Sequence, residues 1–217
     1  MDIEYEQDPL RYFRDHEFLA RAHHVLYDSG REYTLTDDEV GELTRQKDLP
    51  AGFLKRLAAD KKRNLLIVHR LLSLPKDTPT LVYACTVEHA YFLSVILTAQ
   101  GRKSGAVSAD TPVTLRRALV HEFREEKIQF LCNYGVLTTG FDAPKTKCIA
   151  LCRPTTSEVL YEQIIGRGLR GPKFGGTPEC TIIDFADNIL VHGQPLSYAR
   201  FAGDWTVYWS DEQTEGE

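Results

Sequence analysis

Two arginines in the last third of the chain carry side chains suited to phosphate chemistry. Arg167 and Arg170 stand three residues apart in the segment YEQIIGRGLRGPKFGG, and Gln163 precedes them. Guanidinium groups stay charged and form forked hydrogen bonds with phosphate oxygens. If the predicted helix continues through them, both side chains project from one face, with Gln163 on the same side. Aimed at a γ-phosphate, they would act as arginine fingers. The alternative is that both are solvated or pair with Glu158 and Glu162.

The glycines of the same segment match two nucleotide-binding patterns in residue type but not in structural context. GRGLRG fits G-x-G-x-x-G, and Asp184 follows at a suitable distance, but a dinucleotide-binding turn needs a strand before the first glycine and a helix after it. Here a predicted helix runs into Gly166. A P-loop needs Lys and then Ser or Thr after its second glycine, whereas this chain has Pro172–Phe174 there. The segment is therefore predicted to act through its arginines.

Composition predicts a soluble globular protein of one large domain, or of one domain with an appendage. No stretch approaches the roughly 18 apolar residues of a membrane span, and the acidic start MDIEYEQDPL is unlike a secretory signal. Cytosolic location and no membrane partner are therefore expected. The cysteines are odd in number and lie in apolar runs, which predicts buried thiols in a reducing compartment. No pair has zinc-ligand spacing, so no metal site is predicted. They are Cys85, Cys132, Cys148, Cys152 and Cys180.

The net charge of −5 hides an uneven distribution. Residues 61–176 contain 17 Lys and Arg against 9 Asp and Glu, a net charge of +8, which leaves −13 for the remainder. This pattern is compatible with a phosphate-binding face, or with an imbalance spread over several solvated helices.

The first 75 residues are predicted to be helical. One helix extends from the segment DPLRYF to Gly30, and Thr36–Glu39 has the spelling of a capping box for a second. A longer helix, or two, follows. His23 and His24 lie in the first predicted helix and are interpreted as ordinary surface or packing histidines.

Beyond residue 75, short apolar strands alternate with helices, which predicts an α/β fold with a parallel sheet and helices on both faces. Thr111 with Pro112, and Thr155–Ser157, are the predicted caps of two of the helices. The acidic tail, residues 201–217, is predicted to be partly disordered. The predicted strands are residues 80–86, 104–109, 128–136, 146–154 and 179–187.

Ligands of open parallel sheets collect at the carboxyl ends of strands. The residues that follow the predicted strands are therefore candidates for a site: Thr86, Ser108, Thr138–Asp142, Arg153–Ser157 and Asp184–Asn188.

Three segments, in order and at matching spacing over residues 62–193, resemble motifs of superfamily 2 helicases. QIIGRGLR (163–170) resembles motif VI, VLTTGFDAP (136–144) motif V, and TLVYACTVEHA (80–90) motif IV. RPTTSEVLYEQ and IIDFADNILVHG resemble the branch of bacterial repair helicases and restriction-enzyme motor subunits. The resemblance implies a C-terminal RecA-like lobe at 76–200, preceded by a helical linker or insert at 1–75.

The resemblance also implies roles for individual residues. Arg170 would be the main finger on the γ-phosphate of ATP, with Arg167 beside it and Gln163 in support. Gly140 and Asp142 would approach the nucleotide, and the Asp142 carboxylate would accept from a ribose hydroxyl. The residues implied to hold backbone phosphates are Thr86, Thr138 and Thr139.

In this family, ATP and Mg²⁺ are held mainly by an N-terminal RecA-like lobe, whose P-loop and D-E-x-H box this sequence lacks. That lobe of the same protein and DNA are the implied partners, with RNA left open because phosphate contacts barely distinguish the two. The main hypothesis is the C-terminal motor lobe of an ATP-dependent DNA helicase or translocase, inactive by itself. The alternatives are a docking module derived from such a lobe and an oxidoreductase that uses GRGLRG.

Overall fold

The computed structural model describes residues 8–46, 48–137, 142–192, 194–195 and 207–209. Among the helices within these ranges, none has both the length and the apolar character that crossing a membrane requires. A short 3₁₀ turn spans Pro172–Phe174. In chain order the elements are α1 (Pro9–Asp15), β1 (Arg21–Thr34), α2 (Asp37–Gln46), α3 (Ala51–Ala59), α4 (Lys61–Ser73), β2 (Thr80–Tyr83), α5 (Val87–Ala99), β3 (Ser104–Val107), α6 (Val113–Arg124), β4 (Phe130–Asn133), β5 (Cys148–Leu151), α7 (Glu158–Ile165), β6 (Glu179–Val191), β7 (Gln194–Pro195) and β8 (Val207–Trp209).

The strands form one sheet in the order β3-β4-β2-β5-β6-β1-β8, and β7 pairs with β6. Pairings along this path are parallel, while β6 and β7 are antiparallel. The prediction of an α/β fold with a parallel sheet is confirmed, as are the five strands expected after residue 75. These strands are continuous apolar runs because both faces of the sheet are covered.

Alternate strand residues pack against helices on opposite faces of the sheet. Ile149 and Ile182 belong to the core under α6 and α7, whereas Ala150 and Ile183 belong to the core under α4 and α5. A third cluster joins α2 and α3 to the far end of β6 through Ile189. The helix that carries Gln163 is therefore fixed to one face, and the helices around Thr86 cover the other.

The N-terminal segment differs from the predicted helix. Residues of α1 are helical, but Arg21–Thr34 form β1, which pairs with β6 from Arg21 opposite Glu179 to Thr34 opposite Leu190. Gly30, expected to end a helix, has a φ of 62° and lies where the register shifts between Asp28 and Glu32. The helical prediction for this stretch is wrong because a parallel partner about 150 residues away supplies the backbone hydrogen bonds.

Side-chain caps explain where several helices begin. The predicted capping box is confirmed, since the Thr36 N–H donates to Glu39 at 3.0 Å and the Glu39 N–H donates to Thr36 Oγ1 at 3.3 Å. Ser157 caps α7, as expected. At α6 the prediction is off by one residue: Pro112 occupies the cap position, and the Thr111 hydroxyl instead accepts from the Ser108 N–H at 2.8 Å.

A buried ion pair holds α4 against the sheet. Arg63 is fully buried, and its guanidinium donates to both carboxylate oxygens of Asp187 on β6, at 2.8–2.9 Å. It also donates to the Cys152 carbonyl at 2.8 Å and lies 3.8 Å from Cys85 Sγ. Loss of either charge would leave the other buried without compensation, which typically costs about 3–5 kcal/mol.

The five cysteines are free and buried, as the sequence predicts. Burial raises the pKa of Cys85 to about 11 and that of Cys148 to about 12. These thiols therefore stay protonated at neutral pH and act as core side chains.

Candidate functional site

The arginine-bearing segment is a loop rather than a continuation of α7. The helix ends at Ile165, and Arg167 and Gly168 donate backbone hydrogen bonds to Ile164 and Ile165 at 3.1 and 2.9 Å. Arg170 lies beyond this turn, in an isolated bridge with Leu19. The expectation that one helix presents both arginines is therefore wrong. Gly166 caps the helix, and the tightened turn after it redirects the chain.

Glycines in this loop permit close backbone packing. A Cβ on Gly168 would lie 2.3 Å from Cys180 Sγ and 3.0 Å from Ile149 Cγ1, and a Cβ on Gly171 would lie 2.2 Å from the Glu17 carbonyl oxygen. The 2.2 and 2.3 Å distances are shorter than real Cβ contacts, so a side chain at either position would force its neighbours to move. The glycines thus pin the loop onto β5, β6 and the chain before β1, which agrees with the rejection of both nucleotide-cradling patterns.

Arg170 forms an ion pair with Asp142. Its Nη1 donates to Asp142 Oδ1, and Arg124 Nε donates to the Asp142 carbonyl. The side chains of Arg170 and Asp142 are 39% and 50% exposed. Arg170 and Asp142, which were each predicted to contact the nucleotide, are therefore in contact with each other. The partner of Arg170 in this ion pair is Asp142, not Glu158 or Glu162. Both charges remain open to an incoming ligand.

This ion pair lies at the amino ends of the strands. The Ala20 N–H, just before β1, donates to the Leu169 carbonyl at 3.0 Å, and the Thr177 N–H, just before β6, donates to the Arg170 carbonyl at 3.1 Å. Asp142 lies in the segment that leads into β5. The expectation that ligand-binding residues lie at the carboxyl ends of the strands does not hold for Arg170. A helix between two parallel strands returns the chain to the amino ends, so the arginine-bearing loop, which follows α7, lies there.

Gln163 and Arg167 surround this region without forming part of the ion pair. Gln163 is exposed on α7, four residues before Arg167. Arg167 is half-buried, and its positive charge acts on the hydroxyl of the buried Tyr83. Burial raises the pKa of Tyr83, and the charge of Arg167 lowers it in part.

Thr86 occupies the opposite, carboxyl edge of the sheet. It caps α5, where its hydroxyl accepts from the His89 N–H at 3.1 Å. Thr86 is buried, with 8% of its surface exposed. The other predicted contacts, Thr138, Thr139 and Gly140, lie outside the described residues.

A second cluster at the carboxyl edge was not predicted from the sequence. Asp48 accepts from Arg153 Nη2 at 2.5 Å, from the Thr155 hydroxyl at 3.0 Å and from the Thr156 N–H at 3.3 Å. Arg153–Ser157, which follow β5, were predicted from the sequence to lie at this edge, and they do. Their partner is about a hundred residues away in a loop, where no sequence signal indicates it.

His24 is a buried residue of β1, next to two other polar side chains. Its Nε2 lies 3.5 Å from the Tyr161 hydroxyl and 3.9 Å from Asp184 Oδ2. Burial, together with the charge of Asp187, raises the pKa of Asp184 to about 7, and burial lowers that of His24. This cluster joins β1 and β6 to α7. Within the described part of the chain, no group of three or more His, Cys, Asp or Glu is arranged to hold a metal ion.

The family model described as the helicase conserved C-terminal domain matches residues 62–171. The chain belongs to this family. The match covers about half of the chain and includes Thr86, Asp142 and both arginines. The chain is accordingly a superfamily 2 helicase C-terminal lobe, as the three motifs indicated.

Curated relatives agree with this assignment. A Saccharomyces cerevisiae protein named "Putative ATP-dependent helicase IRC3" is 36% identical over 106 residues, 49% of this chain and 15% of that protein. A Lactococcus phage "51.5 kDa protein" is 33% identical over 129 residues, 59% of this chain and 27% of that protein. The chain thus spans less than a third of the length of either relative.

Solved structures share the fold. The C-terminal domain of the DEAD-box protein Dbp5 superposes with a TM-score of 0.55 at 19% identity, covering 69% of this chain and 83% of that domain. A DEAD box protein from Methanococcus jannaschii gives 0.55 at 17% identity, covering 96% of this chain and 48% of that protein. At this identity the likeness concerns the fold, which is RecA-like.

Proposed function

We propose that this chain is the C-terminal motor lobe of an ATP-dependent DNA helicase or translocase and that it supplies the arginine finger. The observation that carries the proposal is the Asp142–Arg170 pair of this helicase-family lobe, whose arginine lies on the glycine-pinned loop and whose two side chains are half-exposed. The branch of repair helicases and restriction motors is part of the proposal, on the resemblance alone.

In this proposal, Arg170 stabilises negative charge on the γ-phosphate of ATP, with Arg167 beside it and Gln163 in support. Gly140 and Asp142 approach the nucleotide. The two exposed charges fit such a ligand, since a guanidinium matches phosphate oxygens and a carboxylate accepts from a ribose hydroxyl. The N-terminal lobe of the same protein would hold ATP and Mg²⁺, because its P-loop and D-E-x-H box are absent from this sequence.

Nucleotide binding would have to rearrange the Asp142–Arg170 ion pair. Arg170 donates to Asp142 through Nη1, so a forked contact of this end of the guanidinium with a phosphate would displace the carboxylate. An exposed ion pair contributes only about 0–1 kcal/mol, so this exchange costs little. Once released, the Asp142 carboxylate is free to accept from the ribose, and one movement would prepare both contacts.

Thr86, Thr138 and Thr139 are proposed to contact the phosphate backbone of the nucleic acid. Such contacts do not read bases, so binding should be largely independent of sequence and should weaken as salt rises. DNA is our first choice. RNA is retained as the alternative, because a protein that shares the fold, S. cerevisiae Dbp5, has been solved bound to RNA and ADP BeF3.

The finger is tested by Arg170→Ala in a protein that contains both lobes. We expect ATP turnover to fall by about 10³- to 10⁵-fold. Arg31→Ala is the matched control, since Arg31 is similarly exposed and also pairs with an aspartate, Asp60, but lies elsewhere. Its turnover should equal the wild type. Unchanged turnover in Arg170→Ala, with the melting temperature preserved, would remove Arg170 from catalysis.

A docking module that has lost motor function is the second candidate. The exposed Asp142–Arg170 pair disfavours it, because docking does not require these residues. If the two-lobed protein binds nucleic acid but no ATP, the docking function is correct and the motor function is wrong.

A further inference from the structure

A large cavity opens beside Thr86, on the face of the sheet covered by α4 and α5. Its volume is about 760 Å³, within the range of small-molecule sites. Helices α3, α4 and α5 supply a mainly apolar lining, and Thr86 forms part of the wall. The lining includes Ala58, Ala59, Leu65, Val68, Phe92 and Ile96.

Two buried polar atoms on this lining have no hydrogen-bond partner among the described residues. His89 Nδ1 accepts from the Cys85 N–H at 3.1 Å, and burial lowers the pKa of His89 to about 3. The neutral ring therefore carries its proton on Nε2, which is a donor without an acceptor. The Asn64 amide donates to the Ala58 carbonyl at 2.7 Å, which leaves Asn64 Oδ1 as an acceptor without a donor.

An exposed aromatic ring and two cations complete the wall. Phe92 is 44% exposed, although it is a large apolar side chain. Its ring lies within 28° of parallel to the ring of His89, with 6.5 Å between the centroids. Lys55 and Lys61 line the cavity with exposed ammonium groups and outnumber the one carboxylate there, Glu88. Positive charge beside an exposed ring is the combination that single-stranded nucleic acids bind.

We propose that this cavity receives an unstacked base of the bound single strand, with Phe92 as its stacking surface. The inference rests on the proposed function, since Thr86 on the same wall is a proposed phosphate contact. Every base offers both an acceptor and a donor along its edge, so a base that displaces the side chains covering His89 Nε2 or Asn64 Oδ1 can satisfy that atom. The lysines then face the phosphates. A partner helix would also meet the apolar wall, but exposed lysines beside an exposed ring favour a base with its phosphates.

The test uses this 217-residue chain and single-stranded oligonucleotides that contain 2-aminopurine, in DNA and RNA forms. Binding is followed by fluorescence anisotropy, and stacking by quenching of the 2-aminopurine. We expect Phe92→Ala and Phe92→Leu to weaken binding about 5- to 150-fold and to abolish the quenching, because base–aromatic stacking contributes about 1–3 kcal/mol. Phe92→Tyr, which keeps the ring, should bind as the wild type does.

Phe174→Ala is the matched control, because Phe174 is also an exposed ring but lies in the arginine-bearing loop at the other edge of the sheet. It should bind and quench normally. Failure of the wild type to bind any oligonucleotide at low salt would overturn the proposed function and this inference together. Binding that Phe92→Ala leaves unchanged would overturn the inference alone. So would an apolar dye that remains in the cavity at saturating oligonucleotide, which would indicate an apolar occupant.

Discussion

Asp184 illustrates how burial changes the chemistry of one side chain. The carboxyl is buried near His24, Tyr161 and Asp187, and the positive charge of Arg63 compensates it in part. Its pKa is raised to about 7, whereas an exposed aspartate ionises near about 3.9. Between these values the folded chain holds more protons than the unfolded chain. Ionisation of Asp184 therefore reduces stability as pH rises from about 4 to about 7 and reaches its full effect above pH 7.

Asp184→Asn should remove this pH dependence, because the amide keeps the shape and cannot ionise. The difference in melting temperature, variant minus wild type, should be larger at pH 8 than at pH 5 by at least about 2 °C. His24 has a lowered pKa, so its effect has the opposite sign and reduces stability as pH falls below about 6.5. Calorimetry at both pH values measures the difference, and a constant difference would show that Asp184 is ionised throughout.

Individual residues were predicted correctly where they belong to a short sequence motif. They were missed where their contact partner lies far away in the sequence. Arg170 and Asp142 were named from short patterns, and the structure places them in contact. Asp48, Arg63 and His24 were not recognised as members of polar clusters. Their partners lie 105, 124 and 137 residues away in the chain, so nothing in the local sequence indicates them.

The loop after α7 depends on the space that Gly168 leaves. Gly168→Ala would force a methyl group against Cys180 Sγ and Ile149, and the loop would have to move away from the sheet. We expect a loss of about 1–3 kcal/mol in stability, as for other overpacked sites, measured by urea denaturation. ATP turnover of the two-lobed protein should also fall, because Arg167 and Arg170 move with the loop.

A double variant separates crowding from other effects of Gly168→Ala. Cys180→Ala removes the sulfur that the new methyl group would meet most closely, so the double variant should recover part of the lost stability. Gly41→Ala is the control, since a Cβ there meets nothing within 4 Å. Strictly additive losses in the double variant would mean that Cys180 is not the obstacle.

At the scale of elements, the strands after residue 75 were predictable because each is an apolar run between clear helix signals. β1 was not, since its apolar residues also fit a helical period and its pairing with β6 is long-range. The arginine loop was misplaced for a related reason. The glycines that end α7 were visible, but the close packing that requires them depends on Cys180 and Glu17.

At the scale of the whole molecule, the two candidate sites occupy opposite edges of one sheet. The Asp142–Arg170 pair lies at the amino ends of the strands, and Thr86 with its cavity lies at the carboxyl ends. The helices and strands between them form continuous cores on both faces. In the proposed function, such a lobe would contact a nucleotide at one edge and a strand of nucleic acid at the other, and it would move as a unit as the proposed N-terminal lobe closes on it.

The proposed half-site predicts that this chain alone does not hydrolyse ATP. It has an exposed arginine for the γ-phosphate but neither the P-loop lysine nor the D-E-x-H box. Positioning and charge stabilisation supply nearly all of phosphoryl-transfer catalysis, so half of the charges should give almost none of the rate. Phosphate release should stay at background with or without nucleic acid, while the two-lobed protein turns over ATP. Any activity seen in this chain is checked in the Arg170→Ala variant. Activity that persists in the variant comes from a contaminant. If this chain hydrolyses ATP as fast as the two-lobed protein and the variant does not, the active site is complete in this chain and the half-site proposal is wrong.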